Sequence, residues 1–247
     1  MIAANTSSAL ILESDADWDM RIKQQFAPLA KGIKTIVDWP FDRALHNVDP
    51  LMFPYGDTWD IVWMGHCGSN HGGYGRIYSW NDSSVPPEDR EFTFDVGLDG
   101  TQHTPGTRTV FQFGRTTCSS AYAISLQGAI KLVQYFKQGN ENLDIALSQT
   151  CSGKTDMICL GVWPQIITAA ATKSNIDHSG DGDDTNGGGN VEETVQGGPG
   201  LQFSARVNSR RVLEDGVGRE GWKAEWETMW AEGQGGWVMV GLNRSVV

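Results

Sequence analysis

The chain lacks long apolar runs, positive charge and abundant cysteine, and each shortage excludes a class of protein. No run approaches the roughly 18 apolar residues that a membrane-spanning helix needs. Lys and Arg number 19 against 30 Asp and Glu, which gives a net charge of -11. Binding to a nucleic-acid backbone depends on Lys and Arg, so no nucleic-acid partner is expected. A phosphate-bearing small molecule is still compatible with this charge, because a bound metal ion can supply positive charge locally.

The four cysteines are too few and too scattered for a disulfide framework, and no two of them form a CxxC pair. A zinc site is therefore not expected. Cys151 and Cys159 could pair across a short loop, but their spacing alone leaves this open. His66 and Cys67 lie near His71 in a glycine-rich stretch, which favours a turn-rich loop over a metal cluster.

Three regions of different composition divide the 247 residues. Residues 1–178 are predicted to form one α/β domain. Residues 179–200 are rich in glycine and acids without the spacing of a calcium loop, and they are predicted to form a flexible acidic linker. Residues 201–247 form a Trp-rich segment, in which helical spacing of tryptophans favours packing. The first residues lack the features of a signal peptide, so the chain as written is expected in the cytoplasm, with the secretory pathway left open for a longer form.

Strand and helix patterns alternate along the first region, as in a mixed sheet flanked by helices. Residues 9–12 form an apolar run typical of a fully buried strand. Residues 59–65 and 157–163 also have the length and β-branched content of buried strands. Amphipathic helices are predicted over residues 17–31, where Gly32 would end the helix, and over residues 126–138.

Acidic residues follow the first predicted strand directly. Acids stand at every second position from Glu13 to Asp19, so they would project to one face if the chain stayed extended past Leu12. Carboxylates on one face can share a hard cation, which would bridge them to the phosphates of a ligand. The alternative is that Asp17 and Asp19 cap the following helix, and both roles can hold at once. The sequence has no phosphate-binding glycine loop, so a nucleotide would be held through a metal.

Four blocks of the sequence stand in the order found in a known family. They are residues 10–16 (LILESDA), residues 63–68 (WMGHCG), residues 118–125 (CSSAYAIS) with Gly128-Ala129, and residues 143–147 (LDIAL) with Cys159 and Pro164-Gln165. In these blocks the chain resembles glycosyltransferase family 25, the lipooligosaccharide and procollagen galactosyltransferases, and its fungal members in particular. The resemblance spans roughly residues 5–177. Ser14 stands where the family signature has an acid.

The resemblance implies a GT-A-like fold, the Rossmann-like α/β fold of nucleotide-diphospho-sugar transferases. The activity implied is metal-assisted transfer of a hexose, galactose first, from a UDP-sugar to a hydroxyl of a glycan or protein acceptor. Glu13 and Asp15 would hold the divalent metal, Mn²⁺ first, and Asp17 and His66 would contact the donor. Asp144 matches the family's acid at the head of a late helix, where it would act as the catalytic base or touch the donor sugar. The alternative for Asp144 is a helix-dipole interaction.

In the family, further strand–helix units precede the acidic motif, whereas here the motif begins at residue 13. The resemblance therefore implies a domain that is incomplete at its N-terminus and lacks part of the donor pocket. Such a sheet would expose a strand edge and apolar surface. Two other interpretations stay open: a non-catalytic binding or scaffolding homologue or inactive fragment, and a metal-dependent hydrolase that uses the same acids.

Overall fold

A computed structural model of the chain describes residues 1–38, 55–56, 58–70, 76–86, 104–112, 114–136, 142–152, 155–170, 198 and 200–208. After a short 3-10 helix at Ile2–Ala4, the α-helices in these ranges are α1 (Ile22–Asp38), α2 (Leu126–Tyr135) and α3 (Leu143–Ser152). The strands are β1 (Ser8–Leu12), β2 (Ala16–Trp18), β3 (Ile61–Gly65), β4 (Gly68–Asn70), β5 (Ile77–Asn81), β6 (Thr107–Gln112), β7 (Arg115–Thr117), β8 (Ala121–Ser125), β9 (Cys159–Trp163) and β10 (Ile167–Ala169). Across these ranges, no helix combines the length and the apolar character needed to span a membrane.

Six strands form one mixed sheet in the order β1-β8-β3-β9-β6-β5. In this sheet β3 and β9 pair in parallel, and the other neighbours pair antiparallel. Consequently β1, β3, β5 and β9 run in one direction and finish at the same end of the sheet, where β6 and β8 begin. We call this the upper end of the sheet. The predicted mixed α/β architecture is confirmed.

Helices cover both faces of the sheet. On one face, Leu29 and Ile33 of α1 pack in a core with Val62 of β3 and Leu160 of β9. On the other face, α2 and α3 pack against a second core, whose buried members include Ile61, Trp63, Phe111, Ala129 and Leu147. Burying each of the large side chains stabilises the fold by about 1.5–3 kcal/mol relative to an exposed position. The sheet is therefore fixed from both sides.

The first strand differs from the sequence prediction. β1 pairs with β8 on one side, and the described residues place no strand on its other side. Leu10, Ile11 and Leu12 are 44%, 39% and 42% exposed, so the predicted fully buried strand is wrong. The prediction failed because a short apolar run looks the same in the sequence whether its strand lies at the centre or at the edge of a sheet. The buried strands predicted near residues 59–65 and 157–163 are confirmed as β3 and β9.

Helix α1 continues beyond the position at which the sequence predicted its end. Gly32 lies inside the helix, and a Cβ on it would stand 2.6 Å from Val110 Cγ1 and 2.8 Å from Tyr78 Cδ1. This glycine is needed for close packing of α1 on the sheet and does not terminate the helix. Helix α2 begins with a cap, because Ser125 Oγ accepts the Gly128 N–H at 2.9 Å.

All four cysteines of the chain are paired. Cys67–Cys118 joins the loop after β3 to the loop before β8, and Cys151–Cys159 joins α3 to β9. The prediction that the cysteines form no disulfide framework is wrong, because pairing follows the neighbouring positions of strands and not sequence spacing. The Cys151–Cys159 pairing, which spacing left open, is formed. Two disulfides are typical of a chain that folds in an oxidising compartment.

Two predicted regions lie largely outside the described residues. These are the linker at 179–200, apart from Gly198 and Gly200, and the Trp-rich segment beyond residue 208. The part of that segment that is described, residues 201–208, donates hydrogen bonds to the carboxylates of Asp17 and Asp19, which follow β1.

Candidate functional site

Part of each of the four sequence blocks lies at the upper end of the sheet. The first block continues from β1 into the acidic stretch, and the second crosses the end of β3. The third begins just before β8, and the fourth ends in the loop that follows β9. The Cys67–Cys118 disulfide ties the second block to the third. Segments that are far apart in the sequence thus form one surface.

The acidic stretch after β1 turns and does not stay extended. The Ala16 N–H donates to the Glu13 carbonyl at 3.0 Å, which closes a tight turn over residues 13–16. We call it the acidic turn. The predicted single face of four acids is therefore wrong, because the turn interrupts the alternation of side chains. Glu13 and Asp15 lie on the turn, whereas Asp17 and Asp19 lie beyond it.

Glu13 is exposed and has an oriented carboxylate. Its Oε1 accepts a hydrogen bond from the Ser119 hydroxyl at 2.8 Å, and its N–H donates to the Ser120 carbonyl at 3.0 Å. Burial first, and then the negative charge of Glu13, raise the pKa of the Tyr122 hydroxyl. The carboxylate is thus held at the end of β1 and remains open to solvent.

Asp144 contacts the same loop from the opposite side. It lies in the first turn of α3, and its Oδ2 accepts the Cys118 N–H at 2.9 Å. Trp63 Nε1 donates to the Cys118 carbonyl at 3.0 Å, which holds the loop from below. Glu13 and Asp144 therefore bind adjacent residues, Ser119 and Cys118. The structure brings the predicted base and one predicted metal ligand to a single loop.

Asp15 is half-buried on the acidic turn. Its carbonyl accepts the Ala170 N–H at 2.8 Å, which fixes the backbone of the turn. Within the described ranges, no group of three or more His, Cys, Asp or Glu side chains is placed to hold a metal ion. Two carboxylates fit a Mg²⁺ or Mn²⁺ site of the kind that ligand phosphates and water complete. The metal assignment to Glu13 and Asp15 stays a prediction.

Asp17, a predicted donor contact, is fully buried and fully occupied. Its carboxylate accepts hydrogen bonds from the N–H groups of Gly198 at 2.8 Å and Arg206 at 3.1 Å, and from the Ser204 hydroxyl. A buried carboxylate needs such partners to offset its desolvation. The geometry gives Asp17 a structural role that the sequence did not indicate, because its partners lie about 180 residues further along the chain.

Asp19 stands just before α1, where the sequence predicted a cap. Its Oδ1 accepts the Arg21 N–H at 2.8 Å, and both carboxylate oxygens pair with the Arg21 guanidinium at 2.8 and 2.9 Å. Asp19 Oδ2 also accepts the Phe203 N–H at 3.1 Å. This acid therefore orders the entry to α1 and also binds the segment at 201–208.

His66, the other predicted donor contact, is buried below the surface. Its Nε2 lies 2.8 Å from the Val162 carbonyl and must donate, because a carbonyl oxygen only accepts. Among the described residues Nδ1 has no hydrogen-bond partner, and burial lowers the pKa of His66 to about 4. The ring also stacks near Trp163, with 5.9 Å between centroids. A neutral, buried imidazole of this kind supports the loop after β3.

A buried ion pair that the sequence did not single out holds two further loops of the upper end. Arg108, at the start of β6, pairs with Asp82 at 2.6 Å and donates to the carbonyls of Pro164 and Gln165. Burial alone would raise the pKa of Asp82, but the charge of Arg108 holds it below its ordinary value. A lone arginine in a polar stretch carries no periodic signal, so sequence reasoning missed it.

The chain matches no protein-family model, no curated protein and no solved structure. The ligand class of the chain must therefore be inferred from the side chains at the upper end of the sheet. This end offers two carboxylates on the acidic turn, and a third carboxylate, on α3, binds the loop that also orients Glu13. The buried Asp17, His66 and Arg108 hold the loops that surround these groups.

Proposed function

We propose that the chain is a metal-assisted glycosyltransferase of the family 25 type with a GT-A-like fold. It would transfer a hexose, galactose first, from a UDP-sugar to a hydroxyl of a glycan or protein. The observation that supports this proposal is that parts of all four sequence blocks meet at the upper end of the sheet. In α/β folds, ligands bind where strands of one direction finish and loops diverge.

Glu13 and Asp15 are the residues that would hold the divalent cation. Both belong to the acidic turn, and the Ser119 hydroxyl orients Glu13 at 2.8 Å. The cation, when bound, would stabilise the charge of the leaving diphosphate. Ser14 contributes its carbonyl to the turn's contact with Arg206, so the missing acid at this position leaves the turn in place.

Asp144 is the candidate base of the proposed transfer. The acceptor oxygen forms a bond to the anomeric carbon, the bond from that carbon to the diphosphate breaks, and a carboxylate takes the acceptor's proton. The Cys118 N–H fixes one oxygen of Asp144 at 2.9 Å. This places the carboxylate beside the loop that also orients Glu13.

A non-catalytic binding homologue is the second candidate, and one observation favours it. Asp17 and His66, the predicted donor contacts, are 0% and 3% exposed, and both are hydrogen-bonded within the fold. A donor would then have fewer side chains to hold it than the resemblance implies. Binding without turnover would support this alternative.

Calorimetric titration of the folded chain with UDP-galactose and UDP-glucose, with and without Mn²⁺, tests the binding part of the proposal. Donor binding should require Mn²⁺ and weaken about tenfold or more in Glu13→Gln and in Asp15→Asn. Asp156→Asn is the matched control, because this 67% exposed carboxylate precedes β9 at the opposite end of the sheet. Unchanged binding in both site variants would refute the metal assignment.

Release of UDP in the presence of candidate acceptors tests the chemistry. Asp144→Asn should keep donor binding and lose turnover if Asp144 is the base. A wild-type chain that binds donor but never turns it over would favour the binding homologue. Sugar release to water, with no preference for any acceptor, would instead favour the hydrolase.

A further inference from the structure

The segment at residues 198–208 is fastened beside the acidic turn. The buried Asp17 carboxylate accepts the Arg206 N–H at 3.1 Å, and Asp19 accepts the Phe203 N–H at 3.1 Å. These acceptors are charged and buried, and charge-assisted hydrogen bonds are the stronger kind. The segment therefore holds its side chains at defined positions relative to the turn.

Arg206 reaches from this segment onto the turn itself. Its Nε donates to the Ala16 carbonyl at 3.2 Å, and its Nη2 donates to the Ser14 carbonyl. The guanidinium thus bridges two residues of the turn that carries Glu13 and Asp15. Arg206 is half-buried, so part of the residue is exposed to solvent.

Phosphates approaching the acidic turn need positive charge. Glu13 and Asp15 are both acids, and the whole chain carries a net charge of -11. A single divalent cation balances the two carboxylates, which leaves the charge of a bound diphosphate without a partner. An arginine suits this role, because its planar guanidinium matches the geometry of phosphate oxygens.

We infer that Arg206 is the phosphate-binding and positioning residue of this site, and that the ligand class is a diphosphate. Arg206 fixes the acidic turn through the carbonyls of Ser14 and Ala16, and it places positive charge beside Glu13 and Asp15. The inference rests on the proposed function for the presence of a diphosphate at the turn. The site then includes a residue that follows the acidic, glycine-rich residues 179–200 and lies outside the blocks that carry the family resemblance.

Calorimetric titration of the full chain with UDP and with ADP, each with Mn²⁺, tests the inference without a sugar donor. Arg206→Gln should weaken binding of both nucleotides about tenfold or more. Arg206→Lys should recover part of the affinity, because it keeps the charge but loses the planar fork. Added salt should weaken binding to the wild type more than to Arg206→Gln, because salt screens an exposed charge. A purely structural role would show no difference in salt dependence between the wild type and Arg206→Gln.

Arg76→Gln is the matched control. This exposed arginine also donates to a main-chain carbonyl, that of Ile36 at 2.9 Å, but it precedes β5 at the opposite end of the sheet. It should bind both nucleotides as the wild type does. Should Arg206→Gln fail to fold, Arg206→Lys decides the question: nucleotide affinity several-fold below that of the wild type would support a contact made by the planar guanidinium, and equal affinity would overturn the inference.

The outcomes separate this inference from the proposed function. Nucleotide binding that depends on Arg206, in a chain that fails to bind UDP-sugars, would support the inference and refute the proposed function. UDP-sugar binding at full affinity in Arg206→Gln would overturn the inference and leave the function standing. A folded wild type that binds none of these ligands would overturn both.

Discussion

Lowering the pH from 7 to 5 should destabilise the protein through His66. The pKa of this residue is about 4 in the folded chain, against an ordinary value of 6.5. The unfolded chain therefore takes up the proton first as the pH falls. The stability from neutral His66 is fully present above pH 6.5 and is lost as the pH approaches 4. From the two pKa values, the loss is about 2 kcal/mol between pH 7 and 5 and about 3 kcal/mol in total.

The physical reason lies in the surroundings of the ring. A proton added to Nδ1 would be a buried donor with no acceptor, and the charge would be desolvated. Asp82, whose pKa lies below its ordinary value, loses its contribution only at lower pH, outside this window.

Urea unfolding followed by tryptophan fluorescence at pH 7, 6 and 5 provides the measurement. The control is His66→Gln, which can still donate to the Val162 carbonyl and retains the four other histidines of the chain's five. The slope of stability against pH should be shallower in the variant by about 1 kcal/mol per pH unit. Equal slopes in the two proteins would refute the reasoning, whatever the variant's absolute stability.

Three further changes test the supports of the upper end. Replacing Cys67 and Cys118 together by Ala should lower the free energy of unfolding by denaturant by about 4 kcal/mol, because this disulfide links residues 51 positions apart. A smaller loss than that caused by removing Cys151–Cys159, whose residues are 8 positions apart, would contradict the dependence on loop length. Asp17→Asn should cost about 2–3 kcal/mol and speed amide hydrogen exchange over residues 198–208, whereas unchanged exchange there would deny the anchoring role. Gly128→Ala should destabilise the fold by about 1–3 kcal/mol, although alanine favours helix more than glycine does, because the added Cβ would clash with the Asp60 carbonyl oxygen. A variant more stable than the wild type would be inconsistent with that contact.

The local pattern of apolar residues correctly predicted the strands that are covered on both faces and paired on both edges. β3 and β9 lie in the centre of the sheet, so their apolar runs match their surroundings. The same kind of run in β1 lies at the border of the sheet, and no local rule separates the two cases. The prediction that Gly32 ends the helix was wrong for a similar reason, because the role of this glycine depends on its packing against Val110 and Tyr78 of the sheet.

The candidate site was predictable only where its contacts are close to the blocks that suggested it. Glu13 and Asp144 both bind the loop that precedes β8, because β1, β8 and α3 meet there. The burial of Asp17 depends on Ser204 and Arg206, which follow it by 187 and 189 positions. The neutral state of His66 depends on the packing of β9 against β3. Such long-range contacts leave no trace in spacing or periodicity.

Two hydrogen bonds tie the positions on either side of residues 171–197 to the segment that follows β1. The Ala170 N–H bonds to the Asp15 carbonyl at 2.8 Å, and the Gly198 N–H bonds to the Asp17 carboxylate at 2.8 Å. Ala170 and Gly198 are therefore held by residues that are only two positions apart on the same short segment. The free energy of closing a flexible loop grows with the logarithm of its length, so doubling the number of residues between the two anchors would cost only about 0.6 kcal/mol. Insertions in the sequence between the anchors should therefore leave the contacts of Asp17 with Gly198 and Arg206 in place.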